Sequence, residues 1–355
     1  MKIIAAILGA LLLAPALLSA DIDSLLTDAA AVKTGDSVAW VAARDRITAL
    51  GEAALPDLRT AGAEANWTAD GWVRALVAET CRMRIEKPEV AQAVDKPNGL
   101  DPAVYKLMRK PEPACQHHLK NLGTDGTPLM LERWRWTFEA YAYSEGDDGR
   151  LERDCYAKAL LFAPGFNADR RARFALEAAL RGGSVPEAWR QVAAVSFAQT
   201  AGTDALPTLN ELFDDATLAT SVREACGWAY GRVADIKSAD ALKTRLTKDG
   251  QPVELQRALL TGVGLLGSAW GWKARGPMLK PAGDEVREAC ARMLVDALKS
   301  IPTESEFISR ALALTAYDAS LDWVTDLAQS GESQPIRDAA KACLEPLATA
   351  IKRNS

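Results

Sequence analysis

S-V-R-E-A-C-G-W-A-Y-G-R-V-A-D-I-K-S-A-D-A-L-K-T-R-L-T-K-D-G, residues 221–250, holds two amphipathic helices in succession. The first runs from Val222 to about Val233 and carries Val222, Cys226, Ala229, Tyr230 and Val233 on one face. The second runs from about Ser238 to Thr247, with Ala241, Leu242 and Leu246 as its apolar side. The spacing is the 3.6-residue period of a helix with one buried stripe. Neither helix is long enough to be stable alone in water. The hairpin therefore needs neighbours of its own kind, and Val222, Tyr230 and Leu242 are expected to be buried between them.

The neighbours are present. Arg190 has the surroundings of Arg223: Ala193 follows three on, Phe197 seven on, and Ala205-Leu206-Pro207 opens a second helix. The step is 223 − 190 = 33 residues. Gln256 lies another 33 on, with Val263-Gly264 and Gly267 in register, and Arg287 follows 31 later inside Val286-Arg287-Glu288-Ala289-Cys290. Weaker copies occur at Ala49 to Pro56, at Val73-Arg74 and at Ile336-Arg337-Asp338-Ala339-Ala340. Self-similarity at a fixed period is the mark of stacked repeats. The pattern resembles short HEAT-like repeats of the phycobilisome-lyase type. Trp136, Ala140, Tyr143, Tyr156, Ala159 and Pro164 resemble a tetratricopeptide unit, with Glu139 and Glu152 off that pattern.

The resemblance implies an all-α fold, an α-solenoid of stacked antiparallel helical hairpins. No segment shows sustained period-two alternation, so strands are not expected. The organisation reads as a signal peptide (1–20), N-terminal HEAT-like repeats (21–86), an irregular insertion (87–128), and helical hairpins with the tetratricopeptide-like unit (129–183). Regular repeats (184–268) and C-terminal helical repeats with a cap (269–355) follow. Pro88, Pro97, Pro102, Pro111, Pro113 and Pro128 mark the insertion as a loop region with one short helix, Pro102 to Arg109. Gly146-Asp147-Asp148-Gly149 reads as the closing turn of a hairpin. Helices are expected at 284–299, 304–317, 320–329 and 334–351.

Lys2, the apolar run Ile3 to Leu18 and Leu18-Ser19-Ala20 form a secretory signal. That run is short for a span of about 20 residues. Cleavage before Asp21 would deliver a periplasmic or secreted protein, with no membrane span in the rest. A net charge of −5 argues against nucleic acid, which calls for a basic stripe. All six cysteines lie beyond residue 20, where oxidation is available. A disulfide from Cys115 to Cys81 or Cys155 would tie the insertion to the stack. Cys226 and Cys290, two repeats apart, would be about 20 Å from each other and are read as buried hydrophobes.

Chemistry is thinly spread. Gly262-Val-Gly264-Leu-Leu-Gly267 spells a dinucleotide fingerprint, but no strand precedes it and its glycines fall on repeat positions, so no cofactor is expected. Cys115-Gln116-His117-His118 holds the only two histidines. The run has donors for a soft metal, and no second cluster completes the set. Iron hydroxylases built on helical repeats carry several His-Glu pairs; this sequence has none. Arg133-Trp134-Arg135-Trp136 could clamp a ligand by stacking and cation–π contact. On a helix Trp134 and Trp136 face different ways, so one belongs to the core. Arg74, Arg190, Arg223, Arg287 and Arg337 recur at one repeat position and read as a structural ladder, each bonding an aspartate or carbonyl of the next repeat.

The reading that follows is an exported, non-catalytic scaffold that binds a protein or peptide partner. The contact region would be the insertion with His117 and His118 and the adjoining Arg133, Trp134, Arg135 and Trp136. Residues 87–128 would then be dispensable for folding. Two alternatives stay open: a chromophore-lyase-like enzyme, by repeat-family analogy, and a metal-binding or redox protein using Cys115 to His118.

Overall fold

Many of the prolines that punctuate this sequence open helices. Pro56, Pro88, Pro128 and Pro207 stand in first turns, where proline has no intrahelical N–H bond to lose. A computed structural model describes residues 22–95, 112–140, 145–248, 250–270 and 280–354, without the side chains of 112–115 and 148. The signal segment 1–20, the expected helix 102–109 and Tyr143 lie outside the described residues. The fold is all-α, an α-solenoid of stacked antiparallel helical hairpins, with no strand among the described residues. It divides into two compact units, Met1–Pro164 and Gly165–Ser355.

The first unit contains α1 (22–30), α2 (Ser37–Thr48), α3 (Leu55–Ala61), α4 (Trp72–Glu86), α5 (Pro88–Asp95), α6 (Glu112–Lys120) and α7 (Thr127–Glu132). A π-helical segment (Arg133–Thr137) follows α7 directly, and α8 (Gly146–Phe166) ends at the boundary. The hub is α4. Ala75, Leu76, Val77, Ala78, Cys81 and Met83 are buried on all its sides, because α2, α3, α5 and α7 surround it.

Several readings change here. The run Cys115 to His118 lies in α6, not in a loop; Pro113 sits at its start, where it is compatible with a helix. Gly146 to Gly149 form the first turn of α8 rather than a closing turn, and Asp147 there suits the positive end of the helix dipole. The ends of the insertion are core. Ala91, Val94 and Leu119 are buried, as are Thr127 and Pro128. Tyr156 donates to the Val94 carbonyl at 2.8 Å and Thr80 to that of Pro128 at 3.2 Å. Residues 87–128 are therefore not a removable loop.

The second unit has two layers. One holds α9 (Arg173–Arg181), α11 (Leu206–Asp214), α13 (Lys237–Leu246), α15 (Asp284–Ser300) and α17 (Ala319–Ser330). The other holds α10 (Glu187–Ala201), α12 (Thr220–Tyr230), α14 (Val253–Leu266), α16 (Ser305–Thr315) and α18 (Gln334–Asn354). Within the second layer each helix packs on the next, and each also packs on a partner in the first. Val222, Tyr230 and Leu242 are fully buried. Tyr230 donates to Asn210 Oδ1 at 2.8 Å, and Asp235 closes the α12–α13 turn by accepting from the Lys237 N–H at 2.8 Å.

The recurring arginines close helix C-termini. Arg190 Nε donates to Leu180 O at 2.7 Å, Arg223 Nε to Phe213 O at 2.9 Å, and Arg337 Nη1 to Gly331 O at 2.6 Å. Each acceptor ends the helix before, not the next repeat, where a cation meets orphan carbonyls and the negative end of the dipole. Arg287 is different: it stands on α15, in the other layer, and reaches forward to Thr315 O at 2.9 Å and to Ala316 O. Arg74 pairs with Asp23. Both Val-Arg-Glu-Ala-Cys segments start a helix, yet in opposite layers, so the copy at Arg287 is out of phase with the repeat.

The glycine run of α14 is a packing seam. A Cβ on Gly262 would lie 2.3 Å from the Gly227 carbonyl oxygen of α12, and one on Gly264 2.8 Å from Ala311 Cα of α16. These residues let three backbones approach, which is why a nucleotide-like spelling occurs inside a helix.

Candidate functional site

Trp40 and Arg44 are four residues apart on α2, so they share a face. That face meets the end of α7, where Glu132 is completely buried. Glu132 Oε1 accepts from Trp40 Nε1 at 2.7 Å and from Arg44 Nη1 at 3.2 Å. Its Oε2 accepts from Arg84 Nη2 at 2.7 Å and Nε at 3.2 Å. Arg84 also grips Asp95, at the end of α5, through two bonds of 2.7 and 3.0 Å. Burial works against the Arg84 guanidinium, but the charge of Glu132 and the bonds to Asp95 outweigh it and raise its pKa. Burial would also raise the Asp95 carboxyl; the Arg84 fork prevails and holds it below the usual carboxylate range. This buried ionic knot fixes α2, α4, α5 and α7 to one another.

The π-helical segment grows from the knot. Such segments widen one turn by a residue and re-aim side chains, often at functional sites. Trp136 is turned inward, 0% exposed. Its ring stacks on Trp40 at 3.9 Å and 5°, and its Nε1 donates to Val32 O at 3.2 Å. The Gly35 N–H donates to Arg135 O at 2.9 Å, so residues 32–35 strap the segment. Trp134 is half-buried, 5.9 Å from Phe138. Arg133 donates to Thr137 Oγ1 at 3.2 Å. The Arg135 guanidinium carbon lies 5.1 Å from the ring centres of both Trp72 and Trp136. Burial lowers its pKa.

The expected four-residue cluster thus divides. Trp136 belongs to the core, while Trp134 and Arg135 stay half-exposed, joined by Trp72. Sequence reasoning missed Trp72, Trp40 and Glu132 as members of this site; the only hint was tryptophan abundance, ten in the chain.

The histidines do not converge. His117 is exposed and bonds Asn121 at 3.1 Å; His118 is half-buried against the Ala93 carbonyl at 3.2 Å. No group of three or more His, Cys, Asp or Glu placed to hold a metal occurs among the described residues. Cys81 is a buried free thiol and Cys155 is buried, and the Cys115 side chain lies outside the described residues. Burial, then the charge of Glu132, pushes the Cys81 thiol far up. Cys226 and Cys290 are buried as well.

The second unit has a cavity of about 570 Å³ beside α15 and α17, lined by Arg292, Trp323, Asp326, Leu327, Glu332 and Ile336 among others. Arg292 lies 4.2 Å over the Trp323 ring. The lining mixes both signs of charge.

No family model matches the sequence, and no curated protein sequence matches it. Among solved structures, human deoxyhypusine hydroxylase in complex with glycerol is similar at 17% identity, covering 74% of this chain and 96% of that one, with a TM-score of 0.31. An engineered protein is similar at 12% identity, covering 83% of this chain and 97% of that one, with a TM-score of 0.30. At these values neither likeness bears on activity.

Proposed function

We propose that the chain is an exported, non-catalytic scaffold whose helical repeats, of the short HEAT-like kind, hold a protein- or peptide-binding surface at residues 133–136. What carries this reading is the π-helical segment. Its backbone is strapped by residues 32–35 and its Trp136 is locked under Trp40, while Trp134 and Arg135 keep part of their surface open. Tryptophan and arginine dominate binding hot spots. A rigid presenting segment loses little entropy on docking. The histidines drop out of the contact set, since His118 faces a backbone carbonyl and His117 an asparagine.

The test uses the full mature chain as bait in an extract of the native host, with partners identified by mass spectrometry and affinity measured on the purified pair. Trp134→Ala should weaken capture by roughly 30-fold, the effect of losing a tryptophan hot spot of about 2 kcal/mol. Trp323→Ala, in the cavity of the second unit, should leave it unchanged. Undiminished affinity in the folded Trp134→Ala protein would move the contact surface elsewhere.

A further inference from the structure

The arginines around α4 spend their charge on acids. Arg44 and Arg84 hold Glu132, Arg82 holds Glu79 and Glu86, and Arg74 holds Asp23. Arg135 has no acid partner among the described residues. Its Nε is enclosed and makes no hydrogen bond, whereas the side chain as a whole is only half-buried. Two indole rings at 5.1 Å offset part of the cost of keeping this cation. On one side its surroundings are fixed: its carbonyl by Gly35, its neighbour Trp136 by Trp40 and Val32.

We infer that Arg135, held between Trp72 and Trp136, is the anchor of a carboxylate-binding site that takes an acidic side chain of a peptide partner. The inference rests on residues 133–136 being the contact surface. The outer nitrogens of a guanidinium form a planar fork that matches a carboxylate's two oxygens. One cation also matches a carboxylate's single charge better than a phosphate monoester's charge of about −1.5 to −2. Of the two indoles only Trp72 is half-exposed, and it offers apolar contact to a residue beside the acid. Recognition would therefore favour a glutamate or aspartate next to an apolar residue.

The probes are N-acetyl-Leu-Glu-Leu-amide and N-acetyl-Leu-Gln-Leu-amide, followed by saturation-transfer NMR on the full mature chain, with succinate and inorganic phosphate as competitors. The glutamate peptide should bind at least about tenfold tighter than its amide counterpart, the scale of a charge-assisted bond. Arg135→Gln should erase that difference. If Arg135→Gln does not fold, Arg135→Lys, which keeps charge but not the fork, should lower the glutamate peptide's affinity several-fold. Equal affinity for the two peptides, no binding of either, or an Arg135→Lys protein that binds like wild type each overturns the assignment. Phosphate displacing the glutamate peptide at lower concentration than succinate overturns it in favour of a phosphate site. If Trp134→Ala abolishes partner capture while the two peptides bind alike, the contact surface stands and the carboxylate site falls.

Discussion

Replacing Glu132 with glutamine tests whether the buried ionic knot holds the first unit together. The substitution keeps shape and removes charge. One oxygen can still accept from Trp40 and Arg44, but the amide nitrogen then faces the Nη2 and Nε donors of Arg84, which stand 2.7 and 3.2 Å from Glu132 now. Stranding a partner of a buried ion pair costs about 3–5 kcal/mol. Here the cost is reduced, because Arg84 keeps Asp95 and Arg44 keeps Asp45. Arg44 and Arg84 are also 16% and 14% exposed. A loss of about 2–3 kcal/mol follows. Urea unfolding is the assay, read by tryptophan fluorescence, since Trp40 and Trp136 stack beside the carboxylate. Arg84→Met in the same chain removes the stranded cation. The double variant should then be less destabilised than the sum of the two singles by about 1 kcal/mol or more. A Glu132→Gln protein within about 0.5 kcal/mol of wild type, or strict additivity in the cycle, would refute the reasoning.

Four further outcomes are expected. Gly262→Ala places a methyl 2.3 Å from the Gly227 carbonyl oxygen; it should lower stability by about 1–3 kcal/mol, seen as a shifted urea midpoint. Asp95 is held below its ordinary range when folded, so its contribution is complete above the unfolded value of about 3.9 and fades as pH falls through the folded one. Acidification from about pH 5 to pH 2 should accordingly cost wild type more stability than Arg84→Met, measured by denaturation at each pH. Burial pushes Cys226 up to about 12 and Cys343 up to about 11, so iodoacetamide at about pH 8 should label neither until the protein is unfolded, as peptide mapping will report. N-terminal sequencing of protein from the native host should begin at Asp21; an intact Met1 would remove export from the proposed function.

Residues 221–250 were legible in outline because both helices obey one period, although the buried side of the second is Ser238, Ala239, Leu242 and Arg245, with Ala241 and Leu246 only half-buried. The layer a helix joins was not. Val222-Arg223 and Val286-Arg287 open helices in opposite layers, and at either place the arginine finds a helix C-terminus to close. Local sequence specifies the arginine's position in its own helix and says nothing of which carbonyl lies across from it. The prolines of 87–128 misled for a related reason. Proline disfavours a helix interior but suits a first turn, and Pro88, Pro113 and Pro128 occupy helix starts. In the candidate site, the divergence of Trp134 and Trp136 was readable from helical spacing. The knot was not, because Glu132 meets Arg84 from 48 residues away and Arg44 from 88. Nothing in the string Arg-Trp-Arg-Trp signals a π-helical turn.

The arginine closures also set a timetable. Leu180 and Phe213 each offer a carbonyl to an arginine ten residues further along the chain. As the polypeptide emerges at about 5–20 residues per second, the end of each of these helices waits about 0.5–2 s for its closing side chain. Arg287 reverses the order, since it precedes Thr315 by 28 residues. That cation is made first and waits about 1.4–6 s for its carbonyl. Synthesis therefore supplies the closing arginines of α9 and α11 after their carbonyls, and that of α16 before its own.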